Sequence, residues 1–181
     1  MRRRLALMLT LAAAPAAAQG VAFPLGNKTT LGTALQRHFN EPLRVEEIRR
    51  FGPVAAVRVF FARRANSNEQ WLVILGESRV VAVLDEANRL SREIQASLLP
   101  AHPDALLDVG TQAFIRDLAL PGGGQRLIFA LPVLDGCRAC AFIAIARIAV
   151  DAEADGAWSG AVSLGTVPAS SGQDWASDPR L

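Results

Sequence analysis

Val54-Ala-Ala-Val-Arg-Val-Phe-Phe61, Trp71-Leu-Val-Ile-Leu75 and Val80-Val-Ala-Val-Leu84 are three short runs of β-branched and aromatic residues in close succession. Ala65-Asn-Ser-Asn-Glu69 supplies a polar turn between the first two, and Gly76-Glu-Ser-Arg79 a turn between the second and third. Runs of this composition, separated by turn formers, predict strands joined by short connections, hence an antiparallel meander.

Working outward, Thr29 to Asn40 carries Leu31, Leu35 and Phe39 at helical spacing, and Pro42 stops it. From Val45 the pattern turns to β. Downstream, Glu86 to Leu99 places Ala87, Leu90, Ile94 and Leu98 on one stripe, with Asp85 as the expected N-cap and Pro100 beyond the end. His102-Pro103-Asp104 opens a turn, with one helical turn expected up to Asp108. A second β region then covers Thr111 to Leu120, Gln125 to Leu134, Cys140 to Asp151 and Ala157 to Gly165. The expected class is α+β: antiparallel sheet with one or two packed helices. A helix followed by several strands occurs twice, near 27–84 and 85–166, which fits either a degenerate duplication into two lobes or the ordinary layering of helix on sheet. The run Ala141 to Val150 is apolar on both faces except at Arg147, as expected of a central strand covered on both sides. The tail from Val167 to Leu181, rich in Ser, Gly, Asp and Pro, is expected to be disordered.

The first eighteen residues have a different character. Arg2, Arg3 and Arg4 precede an apolar run from Leu5 to Ala14, and Ala16-Ala-Ala18 supplies small residues before Gln19. That order is expected of a secretory signal peptide cleaved near Ala18–Gln19, with an exported domain from residue 19 to about 166. The apolar run is shorter than the roughly 20 residues a membrane-spanning helix needs. Cleavage also changes the charge argument. The chain has 19 Lys+Arg against 17 Asp+Glu, and loss of the three leader arginines removes the basic excess. A whole-molecule attraction to nucleic acid then has no support. Arginine dominates, Lys28 being the only lysine. With the abundant alanine this points to a GC-rich bacterial genome and a periplasmic or secreted destination.

Cys137-Arg-Ala-Cys140 is the only cysteine pair. In an oxidising compartment two thiols this close are expected to form a structural disulfide. The competing readings are a thiol–disulfide redox pair and a metal site. A redox C-x-x-C normally heads a helix, whose dipole lowers the thiol pKa, whereas this one precedes a β run. A c-type haem would need His after the second Cys, where Ala141 stands, and zinc would need two further ligands. No cofactor is implied. Asp151-Ala-Glu-Ala-Asp-Gly156 imitates the first half of a calcium loop, but Val162 stands where the bidentate Glu belongs, and a hairpin with Asp-Gly at its tip explains the same residues.

Arg44, Arg49, Arg50, Arg58, Arg63 and Arg64 crowd one segment opposed by Glu41, Glu46 and Glu47. They are either a solvated strand face or a grip for an anionic envelope component or an acidic partner, and in the second case Arg58, Arg63 and Arg64 are the expected contacts. No nucleophile elbow or phosphate loop is present, and His38 and His102 sit in unrelated contexts. The sequence therefore points to an exported, non-enzymatic binding or interaction module of the bacterial envelope; the alternative is a periplasmic redox protein using Cys137 and Cys140.

Overall fold

The computed structural model of the chain describes residues 22–169 and 175–181. The expected leader and its cleavage site lie outside them. Helix α1, Lys28–Phe39, begins where the Asn27 side chain accepts a hydrogen bond from the Thr30 backbone N–H at 2.9 Å, and it ends on Asn40 in the left-handed conformation. Leu31, Ala34 and Leu35 form its buried face.

The meander that follows has four strands: β1 Leu43–Phe51, β2 Val54–Phe61, β3 Glu69–Leu75 and β4 Arg79–Ala82, paired antiparallel in sequence order. The expected three-strand meander thus gains β1 at its edge. Strict alternation would put Ile48 opposite to Val45, but a bulge between Val45 and Glu47 returns both to the side packed on α1. The free edge of β1 is guarded by α1: Gln36 donates to the Leu43 carbonyl at 2.7 Å, and Lys28 to that of Glu46. Capping edge carbonyls in this way discourages pairing with another chain.

Helix α2, Val83–Ala96, grows directly out of β4. The sequence pattern places its start at Glu86 behind an Asp85 cap. Instead Ala82 holds the cap position without a side-chain bond, and Asp85 and Glu86 lie in the first turn, where the dipole favours them. The β-branched Val83, read as strand, is the first residue of the buried stripe Val83, Ala87, Leu90, Ile94. The second sheet is built from β5 Ala105–Leu107, β6 Ala113–Ala119, β7 Gln125–Asp135, β8 Phe142–Ala152 and β9 Trp158–Pro168. Strands β5 and β6 share one edge of β7, β8 takes the other, and β9 lies outermost. Strand β5 occupies the segment expected to form a helical turn. The β8–β9 connection is a hairpin with Asp155-Gly156 at its turn, where the Asp155 carboxylate accepts from the Ala157 N–H at 2.9 Å.

The result is an α+β fold with two antiparallel sheets. The principal core lies between them: Val54, Ala56, Trp71 and Val73 of the first sheet meet Leu127, Phe129, Leu131, Ile148 and Val150 of the second, with α2 closing one side. Both segments, 27–84 and 85–166, contribute to this one core. The opposite face of the first sheet buries Ala55, Val57, Val59, Phe61, Leu72 and Ile74 under α1, which explains why β2 and β3 are apolar on both faces. Where composition suggested a disordered tail from Val167, Val167 and Pro168 complete β9, and Trp175–Ser177 form a 3-10 turn. Leu181 is buried against Ala130 and Ile145 on the outer face of the second sheet. The Ser170–Asp174 part of that expectation lies outside the described residues. No helix among the described residues is long and apolar enough to cross a membrane.

Candidate functional site

Three connections meet at one end of the paired sheets: the β2–β3 turn at 62–68, the loop 108–112 before β6, and the β7–β8 loop at 136–141. The last carries the disulfide, Cys137–Cys140, with Cα atoms 5.0 Å apart. Its base is closed by the Asp135 N–H donating to the Ala141 carbonyl at 2.9 Å, and its turn by the Cys140 N–H donating to the Cys137 carbonyl at 3.0 Å. Both cysteines are exposed, and strands rather than a helix flank them. The bridge projects Arg138 onto the other two connections. Its guanidinium donates to the Asn66 carbonyl at 3.3 Å and stands 3.3 Å from the Asp108 carboxylate.

Asp108 in turn orders its own loop, accepting from the Gly110 N–H at 3.2 Å and the Thr111 hydroxyl at 2.7 Å. Gln112 knits that loop to the first sheet: its side-chain oxygen accepts from the Trp71 N–H at 3.0 Å, and its amide nitrogen donates to Val109 at 2.8 Å. Gly110 must lack a side chain, because a Cβ there would meet the Asn66 carbonyl at 2.9 Å and the Arg138 guanidinium at 3.0 Å. Between the first two connections and the start of β3 lies a cleft of about 250 Å³, lined by Asn66, Asn68, Glu69, Trp71, Thr111 and Gln112 together with Gly110. Side-chain amides, a hydroxyl and one carboxylate are equipped to hydrogen-bond a polar ligand or a partner's backbone. The cleft lining contains no histidine or cysteine. His38 is on α1 against the Phe23 and Phe39 rings, and His102 is in the α2–β5 connection.

The arginine segment is largely matched by carboxylates. Arg58 lies on β2 between Glu69 at 2.6 Å and Glu47 at 3.4 Å. Arg64 pairs with Glu41 at 2.9 Å and lies over the Phe61 ring. Arg44 and Arg49 pair with Glu46 and Glu47. Arg63 is exposed and makes no ion pair among the described residues. Exposed pairs of this kind contribute at most about 1 kcal/mol each.

Two residue groups singled out from sequence contact lining residues without lining the cleft themselves: Arg58 pairs with Glu69, and the Cys137–Cys140 loop reaches Asn66 through Arg138. The residues that sequence reading missed are Asn66, Gln112 and Arg138. Asn66 reads as a turn former and Trp71 as core, and no local signal in the sequence singles out Gln112 or Arg138. No protein-family model, curated protein or solved structure matches the chain.

Proposed function

We propose that the protein is an exported, non-enzymatic binding module of the bacterial cell envelope, with a structural disulfide and with the cleft between the 62–68 and 108–112 connections as its docking site. The observation that carries this reading is the clasp of Arg138 on Asn66 and Asp108. A bridge useful only in an oxidising compartment holds the residue that fixes the cleft walls. The hydrogen-bonding lining suits a partner segment recognised through its polar groups, and binding residues concentrate on loops held by a scaffold.

The test is photo-crosslinking in living cells, with a benzophenone amino acid at exposed Thr111 on the cleft and, as control, at exposed Arg37 on α1. A discrete adduct from position 111 and none from position 37 supports the site. No adduct, or the same adducts from both positions, overturns it. The exposure of Cys137 and Cys140 favours one second reading, a thiol–disulfide function. Catalysis of insulin reduction by the purified chain would establish it, and a reduction potential below about −300 mV would exclude it.

A further inference from the structure

The outer face of the second sheet carries a pocket that the cleft reading does not use. Its volume is about 300 Å³, and three arginines line it from three adjacent strands: Arg116 on β6, Arg126 on β7 and Arg147 on β8. Ile128, Leu164 and Leu181 form apolar walls. The strand register brings the arginines together, since Arg116 lies opposite Ile128, and Arg147 lies opposite Ala130 in the next pairing.

The charges are unequally matched. Arg126 forms a forked pair with Asp151, at 2.7 and 2.6 Å. The side-chain hydrogen bond to Asp151 raises its pKa further above the ordinary arginine value, so it stays cationic at any physiological pH. Arg147 donates from one terminal nitrogen to the Leu164 carbonyl at 3.1 Å, while its Nε is buried without a hydrogen-bond partner. Arg116 is exposed and has no ion pair among the described residues. Of the three guanidinium groups in the lining, Arg126 is engaged by Asp151, while Arg116 and Arg147 have no ion pair among the described residues. A concentration of like charge beside apolar walls is costly, and an anion in the pocket offsets it.

We propose that this pocket binds a small carboxylate carrying an apolar tail, its headgroup held by Arg116 and Arg147 and its tail against Ile128, Leu164 and Leu181. The guanidinium fork matches a carboxylate in two parallel hydrogen bonds, which an ammonium does not do. At roughly 30 Å³ per water-sized group, the volume holds about ten non-hydrogen atoms, the size of an eight-carbon fatty acid. The site is separate from the cleft and does not depend on it.

The test is calorimetric titration of the purified chain with sodium octanoate, 1-octanol, sodium acetate and octyl phosphate. Octanoate should bind one per chain, about tenfold or more tighter than octanol or acetate, which is at least about 1.4 kcal/mol of headgroup and of tail recognition. Arg147→Lys keeps the charge and removes the fork, and Arg116→Gln removes an exposed charge with little risk to folding. Each should weaken octanoate about tenfold, whereas Arg63→Gln should leave it unchanged. Octanol binding as tightly as octanoate, octyl phosphate binding tighter than octanoate, no octanoate binding, or full binding by folded Arg116→Gln would each overturn the assignment.

Discussion

Replacing Cys137 and Cys140 together by serine isolates what the bridge contributes. The ring it closes has only four residues, for which loop-closure entropy gives about 2 kcal/mol at 25 °C. Little else should be lost. The β7–β8 hairpin is independently pinned by its ladder from Gln125 opposite Ala152 to Leu134 opposite Phe142, and by the Asp135–Ala141 hydrogen bond at its base. The Arg138–Asp108 pair, with the arginine side chain 48% exposed, adds no more than a few tenths of a kcal/mol if the loop loosens. In a chain of this size 1 kcal/mol is about 2–4 °C in Tm. The double variant should therefore unfold cooperatively about 4–8 °C below the parent by circular dichroism, and mild reductant should shift the parent by the same amount. An unchanged Tm would mean that the bridge constrains nothing. A loss above about 5 kcal/mol, or failure to fold, would mean that the hairpin depends on the bridge and that the reasoning from the strand ladder is wrong.

Three substitutions test the packing of the two sheets and their turns. Phe129 is fully buried between the sheets, with ring centroids 5.5 Å from Phe114 and 6.2 Å from Trp71. Phe129→Ala should lower stability by about 3–5 kcal/mol in urea titration, and a loss below about 1 kcal/mol would contradict a shared core. Gly156 and Gly165 both have positive φ, +83° and +78°, but a Cβ at Gly156 would meet the Gly76 nitrogen at 2.9 Å while Gly165 faces open space. Gly165→Ala should cost about 1–2 kcal/mol, and Gly156→Ala at least about 1 kcal/mol more from the clash. Equal losses would refute the close approach of the β8–β9 turn to the β3–β4 turn.

The elements most legible in the sequence were those with one dominant local signal. Leu31 and Leu35 on α1, the branched runs of β2 and β3, and the Asp-Gly hairpin all took the form their residues dictate. Legibility failed where tertiary packing overrode local pattern. Val83 reads as strand but begins a helix, because its buried position continues the Ala87–Leu90–Ile94 stripe. Ala105–Leu107 is too short to announce itself and is a strand because Val133–Asp135 offers it an edge. Leu181 looked like the end of a polar tail, yet it covers an apolar patch that no local periodicity reveals. The disulfide was readable from spacing, but its clasp was not, since Asn66, Asp108 and Arg138 come together only through the pairing of two sheets. Arg147 was visible as the one charge in an apolar strand. Its neighbours Arg116 and Arg126 belong to other strands, so only strand register brings the three together.

The most direct test of the central claim is intact-mass and N-terminal analysis of the full chain expressed in a Gram-negative host, separately for cytosolic and periplasmic fractions. The account predicts a periplasmic species beginning at Gln19, with Cys137 and Cys140 bridged and inert to alkylation until reduced. A cytosolic species retaining Met1, with both thiols freely alkylated, would contradict it.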